Sequence, residues 1–148
     1  MREIKFRGKS VDDGKWYYGL PYFSKDRMKS QIRYDISERG CTFVDVIPET
    51  ISEFTGLKDK NGVEIYEGDI VKECGLRETW TLSSRDEFSE RKHVITWCDY
   101  DLQWTGVLFQ DDGDYEHDTR KLSFLNRKYT LEVIGNIHEN KELLEEIK

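Results

Sequence analysis

Thr50-Ile51-Ser52-Glu53-Phe54-Thr55-Gly56-Leu57-Lys58-Asp59-Lys60-Asn61-Gly62-Val63-Glu64-Ile65-Tyr66-Glu67-Gly68-Asp69-Ile70-Val71-Lys72 holds the densest turn signals of the chain. Asn61-Gly62 is the preferred dipeptide of a type I′ hairpin turn, whose central residues need positive φ. Glu67-Gly68-Asp69 marks a second reversal, leading into the β-branched run Ile70-Val71. Two turns this close fix the backbone path. A Gly-Asp pair entering such a run suits the first strand of a small barrel-like sheet.

Upstream, Ile4-Lys5-Phe6-Arg7 alternates apolar and polar residues, and Trp16-Tyr17-Tyr18 follows. Asp12-Asp13-Gly14-Lys15 lies between them, so a hairpin with a type I′ turn is expected, with strands over about 2–9 and 15–21. Pro21 to Ser30 reads as a loop. Gln31-Ile32-Arg33-Tyr34 and Cys41-Thr42-Phe43-Val44-Asp45-Val46 read as a second strand pair, with Glu38-Arg39-Gly40 at its turn. Pro48 then interrupts the ladder, because proline lacks a backbone donor.

Downstream, residues 73–92 are polar and aperiodic, and read as a long loop. His93 to Cys98 and Gln103 to Phe109 read as strands joined by Asp99-Tyr100-Asp101-Leu102. Residues 110–121 form an acidic loop. Tyr129 to His138 reads as a final strand. Glu139 to Lys148 reads as a terminal helix, with Asn140 as N-cap and Leu143, Leu144 and Ile147 on one face.

Composition agrees with strands. The sequence has no alanine, the best helix former, and aromatic residues make up 13% of it. Its 148 residues are one ordinary domain. Cys41, Cys74 and Cys98 are odd in number and widely spaced, and the first residues lack an apolar signal core. Free thiols in a reducing cytoplasm, with no membrane span, are the expectation. Residues 1–72 carry 13 Lys/Arg and 13 Asp/Glu, whereas residues 73–148 carry 10 and 17. The negative second half repels phosphate backbones, which counts against a general nucleic-acid binder.

Chemistry-bearing constellations are sparse. Asp111-Asp112-Gly113-Asp114-Tyr115-Glu116-His117-Asp118 groups carboxylates around a glycine, but the EF-hand spacing fails and a solvated hairpin tip is the better reading. His93, His117 and His138 are isolated, and no zinc spacing occurs. No phosphate-binding glycine motif is present. Lys58 and Lys60 flank the turns and read mainly as solubilising tips. Arg2, Lys5, Arg7 and Lys9 with Phe6, Trp16, Tyr17 and Tyr18 could stack single-stranded nucleic acid. On a strand, Lys5, Arg7 and Lys9 share one face and Ile4 and Phe6 the other, as in a solvated face over a core face.

Met1 to Lys9, Trp16, Gly19, Pro48-Glu49-Thr50, Phe54 to Gly62, Ile65 to Val71, and Val133 to Asn140 with Leu143-Leu144 resemble the YopX family, encoded by phages and prophages of bacteria. Residues 20–46 and 73–128 show little of this resemblance. The family has no assigned function or catalytic residues, and the resemblance implies a homo-oligomer.

The reading is therefore an α+β, mainly β protein. Antiparallel hairpins lead into a small barrel-like sheet starting at Gly68-Asp69, and a short C-terminal helix closes the chain. One domain spans 1–148, with sub-parts 1–47 and 48–148. The expected function is a non-enzymatic, cofactor-free, homo-oligomeric phage or prophage accessory protein in the host cytoplasm. It would bind a host or phage protein through Lys58, Lys60, Tyr66, Glu67 and Asp69. The alternative is a nucleic-acid-associated module using the basic N-terminal strand.

Overall fold

The computed structural model describes residues 3–23, 30–35, 40–74, 91–100, 102–107, 120–121 and 130–145. Its contacts divide the chain into two units, Met1–Gly56 and Leu57–Lys148. The expected turn at Glu38-Arg39, most of the 73–92 loop, the acidic cluster Asp111 to Asp118 and helix residue Ile147 lie outside the described residues.

The first unit holds β1 (Phe6–Lys9), β2 (Trp16–Phe23), β3 (Ser30–Asp35), β4 (Cys41–Asp45), a 3-10 turn at Pro48–Thr50 and the start of β5 (Ser52–Lys58). The strands are antiparallel in the order β4-β3-β2-β1-β5. An antiparallel bridge between Ser10 and Val46 ties the end of β4 back to β1. The Val11 N–H donates to the Asp45 carbonyl, 3.1 Å, and the Ile47 N–H to that of Lys9, 2.9 Å.

This curl leaves little interior space. Ile32, Val46 and Phe54 are buried in the unit. A Cβ on Gly8 would lie 3.1 Å from both Ile32 and Val46, and one on Gly19 would collide with the Arg33 carbonyl oxygen. Close approach of backbones is a reason for glycine inside strands.

The β1–β2 connection is not the expected two-residue turn. Ser10 N–H donates to the Lys15 carbonyl, 2.9 Å, and Gly14 N–H to that of Ser10, 3.2 Å. The Ser10 hydroxyl accepts from the Asp12 N–H at 3.2 Å. A serine that takes up local backbone donors favours such a longer loop. Of its residues, only Gly14 has positive φ, +68°. At Pro48 the ladder breaks as read from the sequence. Thr50 secures the 3-10 turn by accepting the Lys9 N–H, 2.9 Å, and donating to the Ile47 carbonyl, 2.7 Å.

The second unit holds the end of β5, then β6 (Glu64–Tyr66), β7 (Asp69–Cys74), β8 (Arg91–Cys98), β9 (Gln103–Val107), β10 (Arg120–Lys121), β11 (Thr130–Asn136) and α1 (Lys141–Glu145). Its antiparallel sheet runs β10-β9-β8-β7-β11 and starts, along the chain, at Asp69. The described strands of this sheet end at β10 and β11 without closing into a barrel.

Alternation fills both faces of the sheet. Val71, Ile95, Trp104 and Leu131 form one cluster with Ile65, and Leu57, Trp97 and Val133 pack against it. Trp97 and Trp104 meet edge to face at 5.1 Å. Ile70 and Val94, one residue out of phase, take the other face with Ile134, Ile137, Leu143 and Leu144. Leu143 and Leu144 thus anchor α1 as the periodicity predicts. Asn140 precedes the helix, but its side-chain oxygen accepts the Asn136 N–H, 3.1 Å. It secures the end of β11.

Candidate functional site

The 59–63 turn also departs from type I′. Gly62 N–H donates to the Asp59 carbonyl, 3.0 Å, and Asp59 N–H to that of Val63, 2.8 Å. Gly62 has φ +82°, whereas Asn61 stays at negative φ. This is a type I turn followed by a left-handed glycine, a pattern that favours Asp at its first position. Asp59 is buried, and both its oxygens are used. Oδ1 accepts the Asn61 and Val63 N–H groups at 2.8 and 2.9 Å. Oδ2 accepts the Val133 N–H of β11 at 3.0 Å. The Lys60 N–H then donates to the Leu131 carbonyl, 2.9 Å. The turn clamps an edge strand, which masks a row of backbone groups open to wrong pairing.

The residues expected to form a binding patch are distributed differently. Lys58 is exposed at the end of β5. The Lys60 ammonium lies 2.7 Å from Glu132. This ion pair holds the Glu132 carboxyl below its ordinary value. Glu67 is half-buried. Tyr66 and Asp69 are buried, at 2% and 1% exposure, so a surface patch built on them is corrected to a structural corner. The Asp69 carboxylate accepts the Tyr66 N–H at 2.8 Å, and the Tyr66 hydroxyl donates to Glu64 at 2.7 Å. Gly68 turns between them with φ +77°.

His93 is not isolated either. It is fully buried on β8, with Nε2 2.8 Å from Glu73 Oε2 on β7. The register pairs Val71 with His93 and Glu73 with Arg91, so Glu73 is His93's diagonal neighbour. Nothing in the separate strand patterns reveals that pairing. Among the described residues, no three His, Cys, Asp or Glu side chains are placed to hold a metal ion.

A half-exposed aromatic surface lies in the first unit. The register Leu20↔Arg33↔Phe43 puts those three side chains on one face, which alternation extends to Tyr18 and Tyr22 on β2. Tyr18, Leu20, Tyr22 and Phe43 are 45–47% exposed. The Tyr22 and Phe43 rings meet edge on at 5.2 Å. The basic residues of β1 share this face, but they are not uniformly solvated. Arg7 is buried, its guanidinium 4.6 Å from the Trp16 ring centre. The Lys5 ammonium sits 5.5 Å from that of Tyr18.

At one end the face sinks into a groove of about 270 Å³. Ile4, Tyr18 and Leu20 give its walls apolar area, Lys5 and Arg33 give positive charge, and Glu3 and Asp35 give negative charge. Cys41 is exposed on the same face. Adjacent aromatic, cationic and anionic groups in a shallow surface suit contact with another macromolecule. The sequence signal for this face was Tyr18-Gly19-Leu20-Pro21-Tyr22 itself, large residues alternating with small ones.

The molecule is thus a two-unit antiparallel β protein with an open aromatic face among its described residues. The chain belongs to the YopX family, whose model, described as YopX protein, matches residues 5–145. A crystal structure of protein EF1440 from Enterococcus faecalis is similar, with 25% identity and a TM-score of 0.52, over 97% of this chain and 99% of that one. No curated protein matches. Many residues that carry the resemblance serve the fold: Gly19 at a close approach, Asp59 in the clamp, Gly68 and Asp69 at the corner, Asn136 at the end of the last strand and Asn140 just beyond it. Leu20, Tyr22, Arg33 and Phe43 fall in the stretch where the resemblance is weak.

Proposed function

We propose that the protein is a non-enzymatic binding module that works through protein–protein contact, with the outer face of the first unit as its contact surface. The observation that carries this reading is the row of half-exposed Tyr18, Leu20, Tyr22 and Phe43 on one face of the β2–β3–β4 ladder. Aromatic residues are enriched at the centres of interfaces, where they bury large areas at small entropic cost. The mixed charge around the groove suits a protein surface better than a phosphate backbone. The biological setting proposed with it is that of a homo-oligomeric phage or prophage accessory protein in the cytoplasm of a bacterial host.

The test is affinity capture from the host, comparing the natural chain with Tyr22→Ser/Phe43→Ser. Circular dichroism and melting verify that the variant is folded. A nuclease-resistant protein held by the natural chain and lost from the variant supports the reading. Equal recovery by both chains overturns it. Recovery of nuclease-sensitive material alone transfers the face to nucleic acid.

A further inference from the structure

Asn61-Gly62 is the sole Asn-Gly pair of the sequence, and it sits at an exposed hairpin tip. Such a pair carries its own chemistry. The Gly62 nitrogen attacks the side-chain carbonyl carbon of Asn61 and closes a succinimide ring. The new Cγ–N bond replaces the bond from Cγ to Nδ2, which leaves as ammonia with the proton of the Gly62 N–H. Water then opens the ring. Cleavage at Cγ gives aspartate. Cleavage at the main-chain carbonyl gives isoaspartate, which has one more methylene in its backbone. Glycine favours the attack because it has no Cβ to crowd the nitrogen. The other asparagines precede Arg127, Ile137 and Lys141, which do.

The folded turn locks this reaction. Asn61 stands at the third position of a type I turn, where ψ is about 0°. Ring closure needs rotation away from that value. The rotation breaks the bond from the Gly62 N–H to the Asp59 carbonyl, 3.0 Å, and that from the Val63 N–H to Asp59 Oδ1, 2.9 Å. The Asn61 N–H is held by the same Oδ1 at 2.8 Å. Asp59 Oδ2 meanwhile holds the Val133 N–H of β11 at 3.0 Å. One buried carboxylate thus locks both the reactive pair and the strand edge.

We propose that Asn61 is a self-modification site gated by Asp59, closed while the turn is clamped on β11 and converted when the clamp opens. Conversion is one-way. Isoaspartate lengthens the turn by a methylene, and its carboxylate adds a negative charge beside that of Asp59. The ring of hydrogen bonds around Asp59 then cannot reform with its original geometry. The edge of β11 stays uncovered and available for pairing. The device is independent of the aromatic face of the first unit.

Ageing of the full chain at neutral to mildly alkaline pH tests it. Peptide mapping by mass spectrometry follows a gain of about 1 Da at Asn61 and separates aspartate from isoaspartate. The folded natural chain reacts at least about tenfold more slowly than the same chain unfolded in urea, because only its locally open fraction is competent. Asp59→Ala, shown to be folded by circular dichroism, closes most of that gap. Below the urea transition, the rate in the natural chain rises in step with amide exchange at Val63, which reads the opening without any substitution. In the converted chain, exchange at Val133 quickens, and Asn61→Ser abolishes both changes.

Equal rates in the folded and unfolded chains overturn the gate. So does a folded Asp59→Ala that reacts no faster than the natural chain, or a rate unrelated to exchange at Val63. If Asp59→Ala does not fold, the Val63 comparison decides alone. An unfolded chain that does not convert overturns the site itself, and a converted chain with unchanged exchange at Val133 overturns its effect on the edge.

Discussion

The first unit keeps Ile32, Val46 and Phe54 inside and leaves Tyr18, Leu20, Tyr22 and Phe43 about half exposed, whereas the second buries apolar side chains on both faces of its sheet. The cause is geometric. A sheet tied back by the Ser10–Val46 bridge encloses so little volume that Gly8 and Gly19 line it, and Tyr18, Leu20, Tyr22 and Phe43 are left on the outer face. In the second unit, the β5–β6 hairpin supplies Leu57 and Ile65 to one face and α1 supplies Leu143 and Leu144 to the other. A unit covered on both sides is suited to stability, and a unit with a bare aromatic face to contact.

Substitutions can sharpen that contrast. The largest effect is expected from Glu73→Ala, which removes the carboxylate beside a fully buried imidazole. Leaving one partner of a buried hydrogen-bonded pair alone costs up to about 3 kcal/mol. Amide hydrogen exchange checks where the loss falls: faster exchange along β7 and β8 is expected, with β1–β4 unchanged. Equal loosening of both units would break the comparison.

Asp59→Ala should come next, at about 2–3 kcal/mol, because a charged acceptor serving three backbone donors is lost. Denaturant melts measure the cost, and exchange at Val133 reports the opened edge. In the first unit, Gly19→Ala should cost about 1–3 kcal/mol, since a methyl group has no room beside the Arg33 carbonyl. A neutral result would show that the curled sheet relaxes easily, contrary to the tight interior inferred for it.

The smallest effects concern one surface carboxylate in each unit, exposed at Asp13 and half-buried at Glu132. Asp13 is held below its ordinary 3.8 mainly by the Lys15 N–H, and Glu132 below its ordinary 4.5 mainly by Lys60. Lowered values mean that each contribution is present above the ordinary carboxylate range and lost as pH falls through the lowered value. Asp13→Asn and Glu132→Gln should each lower stability slightly at neutral pH and leave it unchanged below the lowered values, so the acid limb flattens. Melts across pH 2–7 read this out, and a loss of the same size at pH 2 as at pH 7 would count against both pairings.

Much of the strand content was legible. Alternation in Lys5-Phe6-Arg7, Ile32 to Tyr34 and Val94 to Trp97 reflects a backbone that sends successive side chains to opposite faces. The turn positions at Gly14 and Gly62 were legible too, because positive φ favours glycine. The turn types were not. Ser10 and Asp59 decide them through hydrogen bonds that compete with the two-residue geometry, and an Asp-Gly or Asn-Gly dipeptide does not record what precedes it.

The candidate site was less legible for a related reason. Tyr66 and Asp69 drew attention because they sit among turn signals, but the turn itself draws them inside. Tyr18, Leu20 and Phe43 read as ordinary strand residues and Tyr22 as part of a loop that the structure draws into β2; sequence alternation separates two faces without saying which one is covered.

The sequence by itself determined a strand-rich chain, its hairpin positions, the break at Pro48, the apolar stripe of the final helix and the negative charge of its second part. These follow from local chemistry: side-chain period, glycine and proline dihedrals, and ionisation. Only the tertiary structure decided that Asp59 holds β11, that His93 meets Glu73, and that the first sheet curls with its aromatic residues outward. Those outcomes depend on pairing between segments far apart in the chain. A residue's burial is set by what is brought against it, and that partner is not written in its own neighbourhood.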